Sequence, residues 1–270
     1  MERDVLEPAI RDCDVVFHLA SAVGVKLIME RPIETIENIF NSTEVVFRYS
    51  ARYRRKILLT STSEVYGKSE AVPFKEDGDR VEGPTNLHRW AYASAKALDE
   101  FLALAHFKTS GLPVVVMRLF NTVGPRQASQ YGMVLARFVE AALLEHPLLV
   151  YGDGRQSRCF CHVADVVMAL ERAVNTNNCN GEVINIGNDE EVSIEELAKR
   201  VIAATGSKSQ IQYVPYEKAF PGGGFEDMRR RIPDLVKAKR LLGWAPTRNL
   251  NQIIADTVCE RRHRFNVGKE

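Results

Sequence analysis

The chain has 270 residues, 45% of them hydrophobic and 26% charged, the balance of an ordinary globular protein with room for a sizeable core. Lys and Arg number 36 against 35 Asp and Glu, so the net charge of +1 excludes a general attraction to nucleic acid or to an anionic membrane. The five cysteines are odd in number and irregularly spaced, which argues against a disulfide framework and for a reducing cytoplasm. The start, Met1-Glu2-Arg3-Asp4, does not read as a signal peptide, and apolar runs such as Val114 to Phe120 are too short to span a bilayer.

Taken in chain order, short apolar runs alternate with helical patterns. Asp14 to Ala20 reads as a strand and Pro32 to Arg52 as a helix; Ile57 to Ser61 is the next strand and Trp90 to Thr109 the next helix. Pro113 to Phe120 is a third strand, Met133 to Glu145 a helix, and Leu148 to Tyr151 a short strand. Cys159-Phe160-Cys161 lacks a second Cys/His pair at zinc spacing and reads as a half-buried strand. His162 to Val174 is helical, Val183 to Gly187 a strand, and Ser193 to Thr205 a helix, opened by Ser193 and Glu196 in a capping box. Strands buried on both faces and separated by helices predict a parallel sheet in an α/β domain. Beyond residue 205 come a lone strand, Ile211 to Val214, a Pro221-Gly222-Gly223-Gly224 loop and a basic cluster, Met228 to Arg231. A helix from Pro233 to Leu242 follows, then a last one from Asn251.

The most informative residues are Thr60-Ser61-Thr62-Ser63-Glu64-Val65-Tyr66-Gly67, at the end of a strand, and Tyr92-Ala93-Ser94-Ala95-Lys96, at the start of a helix. Four residues apart, Tyr92 and Lys96 share a helix face. An ammonium beside a phenol favours the phenolate, so the tyrosine can serve as a base near neutral pH. A Thr62 hydroxyl at the strand end can share the same substrate hydroxyl. This is the chemistry of alcohol oxidation with hydride transfer to a nicotinamide.

Further segments fall in a telling order. They are His18-Leu19-Ala20-Ser21, Asn38-Ile39-Phe40-Asn41-Ser42, Arg118-Leu119-Phe120-Asn121-Thr122-Val123-Gly124-Pro125, Val150-Tyr151-Gly152-Asp153-Gly154 with Arg158, and Ile184-Asn185-Ile186-Gly187. With them the chain, from about residue 4 to 260, resembles the extended short-chain dehydrogenase/reductase family of NAD-dependent nucleotide-sugar epimerases, dehydratases and decarboxylases. It is most similar to bacterial UDP-glucose and UDP-glucuronate 4-epimerases. Asn41 replaces the glycine usual in the second segment. The resemblance implies an α/β fold with a Rossmann-like parallel sheet and a smaller C-terminal substrate-binding α/β part. Residues 1–124 and 160–190 would form the interleaved cofactor domain, and 125–159 and 191–270 the nucleotide-sugar part.

One departure is large. The family opens with a strand and a Gly-x-x-Gly-x-x-Gly turn, whose backbone N–H groups hold the cofactor pyrophosphate. No such turn stands in this sequence. By the resemblance, Asp14 to Ala20 is the fourth strand of a truncated sheet, with the first three strands absent. Either the reading frame begins at an internal methionine, or the protein is naturally shortened. The 14–20 strand is then expected to expose an apolar edge, the polypeptide to aggregate, and its NAD binding, read by titration calorimetry, to be weak.

The resemblance also assigns residues. Tyr92 takes the proton from the sugar 4-hydroxyl, Lys96 lowers the tyrosine pKa and bonds the nicotinamide ribose, and Thr62 orients the hydroxyl. Leu19, Ala20, Ser21, Asn38, Ser61 and Phe120, with Tyr92 and Lys96, would contact NAD. Asn121, Met133, Val134, Tyr151, Arg158 and one of Arg229 or Arg230, here taken as Arg230, would hold the UDP-sugar, a guanidinium fork matching phosphate oxygens. The plain alternatives are a strand-end cap for Thr62, a first helical turn for Met133 and Val134, a strand end for Tyr151 and a solvated face for Arg229 to Arg231. His18 reads as a core histidine. Ser63 replaces the Asp of dehydratases, while Ser63-Glu64 matches UDP-glucuronate decarboxylases and some 4-epimerases. Glu64 is therefore either a proton-transfer group or a structural carboxylate. Helices 34–50 and 92–109 resemble those of a homodimer interface, although Ile36, Ile39, Phe40, Leu98, Phe101 and Leu102 would equally serve an internal core. Three functions stay open: a UDP-sugar 4-epimerase, favoured by the 158–162 and 225–234 segments; a UDP-glucuronate decarboxylase; and a non-enzymatic nucleotide-sugar-binding protein.

Overall fold

The computed structural model describes residues 3–21, 28, 30–129, 133–219 and 226–267. Its centre is a four-stranded parallel sheet in the order β1-β2-β3-β8, formed by β1 (Val15–His18), β2 (Lys56–Thr62), β3 (Val114–Leu119) and β8 (Glu182–Ile186). Side chains alternate across a strand, so each continuous apolar run divides between two faces. Ile57, Leu59, Val114 and Val116 pack with Phe47 of α2 (Pro32–Tyr53) and Ala103 of α3 (Ala91–Ser110). Leu58, Val115, Met117 and Ile184 pack on the other face with Ala169, Leu170 and Ala173 of α5 (Val163–Val174) and with Trp244. Burial on both faces accounts for the absence of polar alternation in these strands.

A second core lies among α4 (Val134–Leu143), α6 (Ile194–Thr205), α9 (Leu250–Val267) and β5 (Leu148–Tyr151). The 211–214 segment, expected to stand alone, forms β10 (Ile211–Val214) and pairs in parallel with β5. Two further short pairs connect the parts: β4 (Thr122–Val123) with β7 (Cys161–His162), and β6 (Ser157–Cys159) with β9 (Glu191–Ser193). Cys159 and Cys161 are fully buried rather than half-buried, and burial pushes both thiols up to about 12. Ser193 caps α6 as expected, accepting the Glu196 N–H at 3.1 Å.

Other elements differ from expectation. Arg3–Arg11 forms an unforeseen helix, α1, whose Leu6 and Ile10 pack on Val45, Val46 and Tyr49 of α2. The first strand stops at His18, so Leu19 and Ala20 lie beyond it and are exposed. Among the described residues β1 pairs only with β2, leaving it at the sheet edge with Phe17 45% exposed. The short α7 (Tyr216–Ala219) precedes the glycine-rich 221–224 segment, which lies outside the described residues. Pro233 does not start a helix; it bridges to Phe74, and α8 (Val236–Leu242) begins after Asp234, which accepts the Val236 N–H at 2.8 Å. Ala238 and Leu242 of α8 pack with Trp244 on the sheet, so this part of the C-terminal region belongs to the first core. Among the described residues no helix is long and apolar enough to cross a membrane.

Asp165 pins the C-terminal region to α5. Fully buried, its carboxylate accepts from Thr247 Oγ1 at 2.5 Å, Arg248 Nη1 at 3.0 Å and the backbone N–H groups of Thr247 and Arg248 at 3.2 Å. Asp165→Ala leaves these donors without their acceptor, and is expected to lower unfolding stability by about 3 kcal/mol in urea titration.

Candidate active site

β2 ends where Thr62 caps a 3-10 turn, Ser63–Tyr66, its Oγ1 accepting the Glu64 N–H at 3.2 Å. A second 3-10 turn, His88–Trp90, delivers the chain into α3. These two entries bring Tyr92 against Thr62, whose hydroxyl acts to lower the phenol's pKa. Thr62 thus does both things expected of it: it caps the backbone and it meets the tyrosine. Tyr92 is 7% exposed. Burial chiefly, and then the Glu64 charge, push its pKa well above the ordinary phenol value; the Thr62 hydroxyl and Arg231 oppose this only in part. The lysine-acidified phenol expected from spacing is therefore not the resting state of this chain.

Lys96 sits four residues along the same helix, but its ammonium is engaged by Asp99 at 2.9 Å, both groups buried. Glu64, next to Tyr92, is held on two sides, by Arg89 Nη2 at 2.5 Å and Arg231 Nη1 at 2.6 Å, with the Arg158 charge also acting on it. Desolvation works against the carboxylate, yet the surrounding cations prevail and carry its pKa down to about 2. Glu64 is thus a fixed anion at neutral pH, an acceptor and a charge rather than a proton donor.

Arg158, itself buried, donates to Asp227 at 2.5 Å and to the Met228 carbonyl at 2.8 Å. The 226–234 segment therefore closes over the strand ends. Its three arginines fan apart: Arg229 goes outward to Asp153 at 3.1 Å, Arg230 outward to Glu191 with two bonds of 2.8 Å, and Arg231 inward to Glu64. Consecutive side chains on an extended segment diverge. Arg231, not Arg230, is the one that joins the site, and Arg230 is 53% exposed by side chain. Arg89 was not foreseen either; the signal available was an arginine three residues before the tyrosine. Among the described residues, Arg89 and Arg231 pair with Glu64, and Arg158 with Asp227.

The other expected contacts fall into two groups. At the end of β1, Leu19 and Ala20 are exposed, Ser21 has a buried hydroxyl with no partner among the described residues, and Asn38 is exposed on α2. Phe120 and Ser61 lie behind the site instead. Phe120 is fully buried among Tyr66, Phe74 and Ala97. The Ser61 hydroxyl is taken by Glu100, which also pairs with Arg118. Asn121 donates to the Cys159 carbonyl at 2.8 Å, tying β3 to β6. Met133 caps α4 and Val134 opens it, both half-buried, while the Tyr151 ring carries the Arg137 guanidinium at 4.3 Å. His18 is a buried histidine, as expected, with Nε2 3.0 Å from Thr43 Oγ1 and a pKa lowered to about 4 by burial.

A parallel sheet with a Thr–Tyr–Lys group at its carboxyl end defines the Rossmann-like architecture of extended short-chain dehydrogenases. Residues 2–257 match the family model described as GDP-mannose 4,6 dehydratase, and the chain belongs to that family. It is 42% identical over 259 residues to the UDP-N-acetyl-alpha-D-glucosaminuronate decarboxylase of Bacillus cytotoxicus, covering 96% of this chain and 79% of that protein. It is 35% identical to UDP-glucuronic acid decarboxylase 1 of Danio rerio, of which it spans 62%. Among solved structures it is similar, with a TM-score of 0.85 and 26% identity, to a UDP-glucuronic acid 4-epimerase from Bacillus cereus in complex with UDP-glucuronic acid and NAD, covering 96% of this chain and 78% of that one.

The Glu64 pKa has a consequence for stability. Because it falls from the ordinary 4.5 to about 2 on folding, the carboxylate contributes stability above about pH 4.5 that is lost as pH falls through 2. Glu64→Gln is expected to be less stable than the parent by about 3 kcal/mol at pH 7, with the gap closing toward pH 2, in urea melts across that range.

Proposed function

We propose that the chain carries the catalytic part of a UDP-uronate decarboxylase that works through a transient 4-keto sugar. The observation that carries this reading is the convergence of two buried guanidinium groups, Arg89 and Arg231, on Glu64 beside Tyr92. A neutral hexose has no need of buried cations at its reacting end, whereas a sugar acid brings a carboxylate to be held there. The 42% identity to a uronate decarboxylase supports the same choice.

NAD fits the residues that are present at its nicotinamide end. Leu19 and Ala20 are open at the strand terminus, and the Ser21 hydroxyl is buried with nothing to bond. These residues, with Asn38 and Lys96, would hold the cofactor, which supplies the acceptor for the hydride of carbon 4.

Tyr92 takes the proton of the sugar 4-hydroxyl, and the neighbouring Thr62 orients that hydroxyl. Once carbon 4 is a ketone, the C5–C6 bond breaks, carbon dioxide leaves, and the electron pair passes to the ketone oxygen as an enolate; carbon 5 takes a proton from water, and the ketone would then regain its hydride together with the proton that Tyr92 holds. Arg231 steadies the departing carboxylate, and the fixed anion of Glu64 disfavours the carboxylate relative to neutral carbon dioxide. Arg158 and the strand-end Asn121 face the diphosphate, with Met133, Val134 and Tyr151 toward the base, in a seam between the cofactor part (1–124, 160–190) and the nucleotide-sugar part (125–159, 191–270). Arg230, turned outward to Glu191, does not enter this reading.

A UDP-sugar 4-epimerase is the second reading, favoured by likeness to the Bacillus cereus 4-epimerase. A homodimer through α2 and α3 accompanies either. Ile36, Leu98 and Phe101 are 43%, 48% and 63% exposed there, while Ile39 is buried in the chain itself.

The full chain, supplied with excess NAD, is expected to release labelled carbon dioxide from UDP-[6-14C]glucuronate. Tyr92→Phe is expected to slow this by about 100-fold or more. Conversion to the 4-epimer with carbon 6 retained would replace the decarboxylase reading with the epimerase one.

A further inference from the structure

The buried pair Lys96–Asp99 belongs to a longer chain of groups. Asp99, fully buried on α3, holds the Lys96 ammonium at 2.9 Å. Burial pushes the Asp99 carboxyl up, with Lys96 and then the Thr43 hydroxyl of α2 opposing, and Thr43 Oγ1 also lies 3.0 Å from His18 Nε2 of β1. The Lys96 charge bears on His18, where it adds to burial in keeping the ring neutral. It is not among the strongest influences on Tyr92, which are burial, Glu64, Thr62, Arg231 and Asp99. The groups facing this pair are therefore His18 from β1, Thr43 from α2, and Glu100 from α3 itself. Those facing Tyr92 are Thr62 and Glu64 from the first 3-10 turn, Arg89 from the second, and Arg231 from the 226–234 segment.

We propose that Asp99 is a positioning residue that holds the Lys96 ammonium: its carboxylate, at 2.9 Å, competes with the Tyr92 phenol for that charge. A buried lysine requires a counter-charge, and the side on which that charge lies decides which neighbour the ammonium serves. Asp99 thereby sets how acidic the tyrosine is, without touching it. This rests on reading Tyr92 and Lys96 as the catalytic couple, but not on which sugar is bound.

The test is a tyrosine titration of the full chain, labelled with 13C at tyrosine Cζ. Of the eight tyrosine lines, that of Tyr92 is identified by its loss in Tyr92→Phe. At about pH 10.5, the phenolate-to-phenol ratio of Tyr92 is expected to rise at least about tenfold in Asp99→Asn, one pH unit in acidity. Adding Lys96→Met to that variant is expected to abolish the rise. An unchanged or lower ratio overturns the proposal. So does a rise that survives Lys96→Met, which would mean that Asp99 acts only through its own charge. Should Asp99→Asn fail to fold, Thr43→Val takes its place with the same expected sign and the same overturning outcomes. The titration needs no turnover, so absence of decarboxylation would leave this result readable, and a failed titration would leave the carbon dioxide assay untouched.

Discussion

A carboxylate taken out of water must bring cations with it, and the organisation of this site follows from how Glu64 meets that demand. Arg89 reaches it from the turn before α3 and Arg231 from the C-terminal segment. Segments separated by more than a hundred residues are thereby closed around the end of β2. The same arrangement presses a negative charge on Tyr92. Removing any one of the three partners strands the others, so local stability rests on these ion pairs.

Around that point the sheet supplies rigidity. β2 and β3 are buried on both faces, with helices on each side. Thr62 therefore projects from a strand that has little freedom to shift. The parallel order places the ends of β1, β2 and β3 together, where Ser21, Thr62 and Asn121 follow their strands. The buried Ser61–Glu100–Arg118 group fastens β2 and β3 to α3 from beneath, and so fixes the helix that carries Tyr92 and Lys96.

Much of this was legible in the residues. The apolar runs that became β2, β3, β5 and β8 are short, bounded and rich in β-branched side chains, and they were read within a residue or two. Tyr92 beside Thr62 was legible as well, because a strand end and a helix start that adjoin in a parallel fold must bring their first polar residues together. The α1 helix was not, since Pro8 interrupts its pattern and its apolar face is narrow. Phe120 and Ser61 were placed at the cofactor because of the motifs they sit in. Alternation along the strand turned both inward, to Tyr66 and Phe74 and to Glu100. The choice of Arg231 over Arg230 depended on the direction of an extended segment whose neighbours come from distant parts of the chain.

The residue order by itself determined the α/β class, the parallel sheet and the identity of the Thr–Tyr–Lys group, because periodicity and motif spacing are local properties of the chain. Tertiary structure alone decided the charge states: a phenol raised by burial, a glutamate held ionised by two guanidinium groups, and a lysine turned to an aspartate in the next turn. Ionisation depends on what dielectric and which charges surround a group in space, and distance along the sequence does not record that.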